Sequence, residues 1–124
     1  MIDTSILIDY FRKTDKANSK LIGHFRNYNQ IYISSITEFE VFNGATDAHK
    51  QFWESMLRGL TVLDFDRNAA RAAAEIVNQL KKKRKTIDKP DLFIAATAMV
   101  HDLPFDTLNH KHFIDIEGLN LLTI

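Results

Sequence analysis

The sequence predicts an α/β domain with a parallel sheet covered by helices on both faces. Three observations predict it: short β-branched and aromatic runs recur along the chain, helical stripes with spacings of three and four separate them, and 124 residues suffice for one domain only. Sixteen Lys and Arg against sixteen Asp and Glu, with 45% hydrophobic residues, is ordinary globular composition and excludes a disordered chain.

The elements follow in order. Asp3, Thr4 and Ser5 form a turn that opens a first helix ahead of Ile6, Leu7 and Ile8. Leu21, Ile22, Phe25 and Tyr28 make a short core-facing stripe, and Ile31 to Ser34 reads as a strand. In the next helix Ile36, Phe39 and Phe42 share the core stripe, with Thr37 and Glu40 one turn apart on an adjacent face. Asp47 to Leu60 carries Phe52, Trp53, Met56 and Leu57 along one side, and Thr61 to Phe65 forms a second strand. Asp66 caps a helix whose stripe runs from Ala69 through Ala73, Ile76 and Val77 to Leu80. Pro90, with its fixed φ, suits the first turn of a helix running through Leu92, Ile94, Ala95 and Ala98 to Met99. Pro104 to Thr107 and Leu119 to Ile124 supply the last two strands.

Composition and motifs exclude several classes. The chain has no cysteine, which removes disulfides and thiolate metal sites. Its apolar start is broken by Asp3 and Asp9 and lacks a basic leader, and no run approaches the roughly 18 apolar residues of a membrane span. A soluble cytoplasmic protein with no membrane partner is expected. Four scattered glycines make neither a phosphate-binding loop nor a nucleophile elbow. No Lys stands on a late strand as a phosphoryl-accepting receiver needs. The zero net charge hides a basic run, Lys81 to Lys85, beside which eleven bases face sixteen acids in the rest of the chain.

In parallel α/β sheets ligands gather at the carboxyl ends of the strands, so the polar residues there are the candidates. Asp3, Glu40, Asp91 and Asn109 all fall near such ends. Each alone has a structural account: Asp3 as a cap, Asp91 as a first-turn acid complementing the helix dipole, Glu40 as a solvated side chain, Asn109 as a turn residue. Together they bring several acids to one sheet edge, where carboxylates repel unless protonated or neutralised. A hard divalent cation with oxygen ligands is the economical remedy, and Mg2+ or Mn2+ fits a cysteine-free set better than zinc. Such a site suits phosphodiester chemistry.

Three stretches carry a family resemblance: Ile2-Asp3-Thr4-Ser5-Ile6-Leu7-Ile8-Asp9-Tyr10; Ile33-Ser34-Ser35-Ile36-Thr37-Glu38-Phe39-Glu40 with Asn43-Gly44-Ala45; and Pro90-Asp91-Leu92-Phe93-Ile94-Ala95-Ala96-Thr97-Ala98 before Leu103-Pro104-Phe105. A fourth is Thr107-Leu108-Asn109-His110-Lys111-His112-Phe113. In this order and spacing the whole chain resembles the PIN-domain family, specifically VapC-type toxins of toxin–antitoxin pairs. The resemblance implies a three-layer PIN fold over residues 1–124 and a Mg2+- or Mn2+-dependent endoribonuclease. It places the first acid at Asp3, the second at Glu40 rather than Glu38, and the third at Asp91. Asn109 falls on a fourth position where many members carry Asp and many of these toxins Asn.

The resulting assignment has Asp3 and Asp91 ligating the ion, Glu40 completing its shell, and Asn109 holding a water or a phosphate oxygen. The amide lowers the charge by one, so one metal is expected to bind tightly and a second weakly. Thr107 is placed to orient a water or the scissile phosphate, and His110, Lys111, Lys82 and Lys83 to contact RNA. The resemblance also implies a cognate antitoxin lying over the pocket and a homodimer, with Phe39, Phe42, Phe52 and Trp53 divided between core and partner groove. It departs at the start, where only Met1 and Ile2 precede Asp3, so a shortened first strand is expected. The rival reading is a weakly active or inactive PIN-like module that binds RNA or protein.

Overall fold

Side chains that alternate along very short extended segments sort this molecule into layers. In the computed structural model, which describes residues 1–122, Met1 and Phe105 face one hydrophobic core while Ile2, Ile31 and Ile33 face another. That is the two-residue period of extended chain. Strands β1 (Tyr32–Ser34) and β2 (Thr61–Leu63) pair in parallel, Ile33 opposite Val62. Three further segments extend this ladder through isolated parallel bridges, Ile2 with Asp106 and Phe105 with Leu121. The Ile2 amide donates to the Tyr32 carbonyl at 3.0 Å, so the first segment sits centrally, between the Tyr32 and Asp106 segments.

Among the described residues six α-helices enclose the ladder: α1 (Thr4–Arg12), α2 (Lys20–Asn27), α3 (Ser35–Gly44), α4 (Asp47–Arg58), α5 (Arg67–Lys82) and α6 (Lys89–Val100). On one face Ile6 and Leu7 of α1, Leu21 of α2, and Trp53 and Leu57 of α4 pack against Ile2 and Ile33. On the other, Ala73, Ile76 and Leu80 of α5 and Leu92 to Ala98 of α6 close over Met1 and Phe105. The three layers are thus helix, sheet, helix, as expected. Short side chains on α6 (Ala95, Ala96 and Ala98, all fully buried) let it lie close to α5.

Several helix boundaries fall where the sequence puts them. Asp3, Ser34 and Asp66 each accept a backbone amide at the start of their helix, satisfying donors that the first turn leaves open. Pro90 occupies the first turn of α6.

Other expectations are corrected. The strands are shorter than the runs suggest, the third is reduced to two bridge residues, Phe105 and Asp106, and the last one to a bridge at Leu121, with Thr123 and Ile124 outside the described residues. On α2, Leu21 is buried but Phe25 and Tyr28 are exposed, and His24 takes the inner place. On α3 the buried residues are Thr37 and Val41, while Phe39, expected in the core stripe, is 63% exposed. The α3 helix meets α6, α1, α4 and both strands, so its inner line is set by these neighbours rather than by its largest side chains. No helix among the described residues is long and apolar enough to cross a membrane.

Candidate active site

The first segment ends at Asp3, and the turn into α1 aims its carboxylate at the end of the neighbouring segment. Asp3 Oδ2 accepts the hydroxyl proton of Thr107 at 2.6 Å, and Oδ1 accepts the Ser5 amide at 3.1 Å and the Ser5 hydroxyl. Each hydroxyl also accepts an amide from the following turn: Leu108 N reaches Ser5 Oγ at 3.0 Å and Asn109 N reaches Thr107 Oγ1 at 2.9 Å. The turn 107–109 and Asp3 therefore fix one another. Thr107, expected to orient water or phosphate, gives its proton to Asp3.

Burial raises the Asp3 pKa above the ordinary carboxylate value; the Ser5 and Thr107 hydrogen bonds oppose this, and the negative charge of Asp91 adds to it. Asp91 stands in the first turn of α6 and places its Oδ2 3.1 Å from His112 Nδ1. Its pKa is raised too, by burial first, against the His112 contact, with Asp88 as a further like charge. Glu40 on α3 comes to the same corner through Thr4, which donates to Glu40 Oε1 at 2.6 Å and has its hydroxyl oxygen 3.1 Å from that of Thr37.

The structure therefore gathers Asp3, Thr107 and Asn109 through direct bonds, Asp91 by its charge, and Glu40 by way of Thr4. Asn109 precedes the short 3-10 helix His110–His112, and its side chain makes no capping bond there. Lys111 and His112 line a cavity of about 220 Å3 with Thr86, Ile87, Asp88 and Asp91, which puts an ammonium and an imidazole beside the acid on α6. His110 lies on the same short helix. The basic run is divided: Lys82 closes α5, whereas Lys83 bonds to Glu117 at 3.0 Å and to the Asp115 carbonyl at 3.1 Å. Trp53 is core, Phe42 and Phe52 pack against that core, and Phe39 alone of the four aromatics is exposed.

Among the described residues no three His, Asp or Glu side chains stand close enough to hold an ion by themselves. The donors fit a hard cation that keeps part of its water shell, because they are all oxygen ligands and the buried Asp3 feels the like charge of Asp91.

Sequence reasoning missed Asp106, which is buried between Lys20 at 3.1 Å and His24 at 2.6 Å, both on α2. Its signal was an acid in the middle of an apolar strand, where burial demands a partner.

A parallel α/β ladder with acids converging at its carboxyl edge defines a class of protein, and comparison with known proteins agrees with it. The PIN domain family model matches residues 1–119, and the chain belongs to the PIN-domain family. It is 36% identical to ribonuclease VapC1 of Rickettsia felis over all of this chain and 95% of that protein. The structure of DNA-bound VapBC from Salmonella typhimurium aligns with a TM-score of 0.86 and 27% identity, covering 98% of this chain and 95% of that one. A toxin–antitoxin complex from Klebsiella pneumoniae aligns at 0.77 with 30% identity, covering 98% of this chain and 94% of that one.

Proposed function

We propose that this protein is a Mg2+- or Mn2+-dependent endoribonuclease, the toxin of a VapBC-type toxin–antitoxin pair. The observation that carries the reading is the buried Asp3 carboxylate held by Ser5 and Thr107 at the end of the first segment, in a chain similar throughout to VapC ribonucleases. Asp3 and Asp91 would hold the ion, and Glu40 would complete its shell. A bound divalent ion supplies a water of lowered pKa and neutralises the charge that builds on the phosphodiester.

The chain's own groups do the rest. Ser5 and Thr107 donate to Asp3 and fix the orientation of its carboxylate. Glu40, held by Thr4, orients the attacking water. The Asn109 amide holds a phosphate oxygen, and His110, Lys111 and Lys82 contact the RNA backbone. The cognate antitoxin covers this edge, in keeping with the complexes its relatives form, and the protein works in the cytoplasm as a homodimer.

The test is RNA cleavage with and without Mg2+ or Mn2+, by the protein and by Asp91→Asn. Cleavage that requires the ion and disappears in Asp91→Asn supports the reading. Metal-independent cleavage, or full activity of Asp91→Asn, overturns it; no cleavage by a protein that still binds RNA favours the inactive module.

A further inference from the structure

Asp106 is 1% exposed and lies in the extended segment paired with Ile2, its carboxylate turned toward Lys20 and His24 of α2. It touches the acidic corner twice. Its carbonyl accepts the Asp3 amide at 3.2 Å, and its own Oδ1 accepts the Thr107 amide at 3.0 Å. Both ends of the Thr107–Asp3 hydrogen bond are thus attached to one residue. Lys20 approaches the same Oδ1 at 3.1 Å, and His24 Nε2 approaches Oδ2 at 2.6 Å.

Two roles compete for this carboxylate. As a buried charge it neutralises Lys20 and ties α2 to the ladder; as an acceptor it fixes the peptide plane between residues 106 and 107. The second role bears on Asp3. Rotation of that plane moves the Thr107 Cα, and with it the hydroxyl that spans 2.6 Å to Asp3 Oδ2. A ligand-supporting hydrogen bond is only as well aimed as the backbone that carries its donor.

We infer that Asp106 is a positioning residue for Asp3: its Oδ1 clamps the Thr107 amide so that the Thr107 hydroxyl holds the Asp3 carboxylate in its metal-binding orientation. The inference rests on the metal site proposed above. It assigns the work to the acceptor atom and not to the charge.

Two substitutions separate atom from charge. Asp106→Asn keeps an oxygen in place for the Thr107 amide and removes the charge. Asp106→Glu keeps the charge and carries the oxygens one methylene further, into an adjoining cavity of about 180 Å3 that Asp106 and His24 line. Lys20→Met, at a partly exposed side chain, cuts an ion pair and leaves the clamp.

The experiment is Mn2+ titration followed by calorimetry on the full chain, its Asp3→Asn variant and these three variants, with circular dichroism of each. Asp106→Glu is expected to weaken Mn2+ at least tenfold, the usual effect of losing a group that supports a ligand, while Asp106→Asn and Lys20→Met stay within about threefold. The reverse pattern, Glu retaining and Asn losing affinity, overturns the clamp, as does a tenfold loss in Lys20→Met. Should neither Asp106 variant fold, Lys20→Met decides by the same criterion. Wild-type protein that binds no Mn2+, or binds it as well after Asp3→Asn, overturns the metal site itself and the clamp with it.

Discussion

Thr107 donates its hydroxyl proton to Asp3 across 2.6 Å, joining residues 104 positions apart in the chain. The same oxygen accepts the Asn109 amide at 2.9 Å, so one hydroxyl couples the first acid to the turn that carries the fourth site residue. Thr107→Val keeps the branched shape and removes both bonds. Because the buried Asp3 Oδ2 loses its donor, the variant is expected to lose about 2 kcal/mol of stability and roughly tenfold in Mn2+ affinity, with Thr107→Ser restoring most of both. Denaturant melts and metal titration of the pair check this.

Asp3 carries a second consequence, for stability without metal. Its folded pKa lies above its unfolded one, chiefly through burial, so the folded state holds its proton more tightly. Stability then falls as pH rises through the interval between the two values, and above it the cost is fully present. Asp3→Asn removes that cost. At neutral pH the metal-free variant is expected to melt at a higher temperature than the wild type, while cleaving no RNA. A scanning melt in EDTA reads the first effect and a gel assay the second.

Asp106 runs in the opposite direction. Burial alone raises its pKa, but His24 and Lys20 outweigh burial and hold it below the ordinary value. The stabilisation is present above the usual carboxylate range and is lost as pH falls through the lowered folded value. Acid unfolding of the wild type is therefore expected to be steeper below pH ~4 than that of Asp106→Asn, measured by circular dichroism against pH.

The legible part of this chain was its local chemistry. Asp3, Asp66 and Pro90 announce helix starts because caps and fixed φ act within one turn. The candidate acids Asp3, Glu40 and Asp91 stand out in the sequence through the ordered motifs around them. What depended on distant partners was not: the Asp106 cluster joins α2 to a segment more than eighty residues later, and no local window contains both. The strands were overestimated because the ladder is held by single bridges and crossing backbone bonds rather than by long pairings. The α3 face was misassigned because side-chain size pointed to Phe39, whereas the surrounding helices bury Thr37 and Val41.

The corrected face of α3 is directly testable. Val41 is 2% exposed and Phe39 is 63% exposed. Val41→Ala deletes two buried methyl groups and leaves a small void, so a loss of about 2 kcal/mol is expected. Phe39→Ala is expected to change stability by less than ~0.5 kcal/mol, as surface substitutions do. Urea denaturation of both variants distinguishes this arrangement from one with Phe39 in the core.

The basic run offers a contrast between neighbours. Lys83 is engaged with Glu117 and the Asp115 carbonyl, whereas Lys82, in the last turn of α5, makes no ion pair among the described residues. A lysine already neutralised by its own chain releases fewer counterions when a phosphate approaches. RNA affinity measured against salt should therefore become shallower by ~0.7 in log–log slope for Lys82→Gln, the loss of one phosphate contact on a single strand, and by distinctly less for Lys83→Gln. Equal slopes in both variants and the wild type would mean that the end of α5 lies outside the RNA path, leaving His110 and Lys111 on the short 3-10 helix as its cationic contacts.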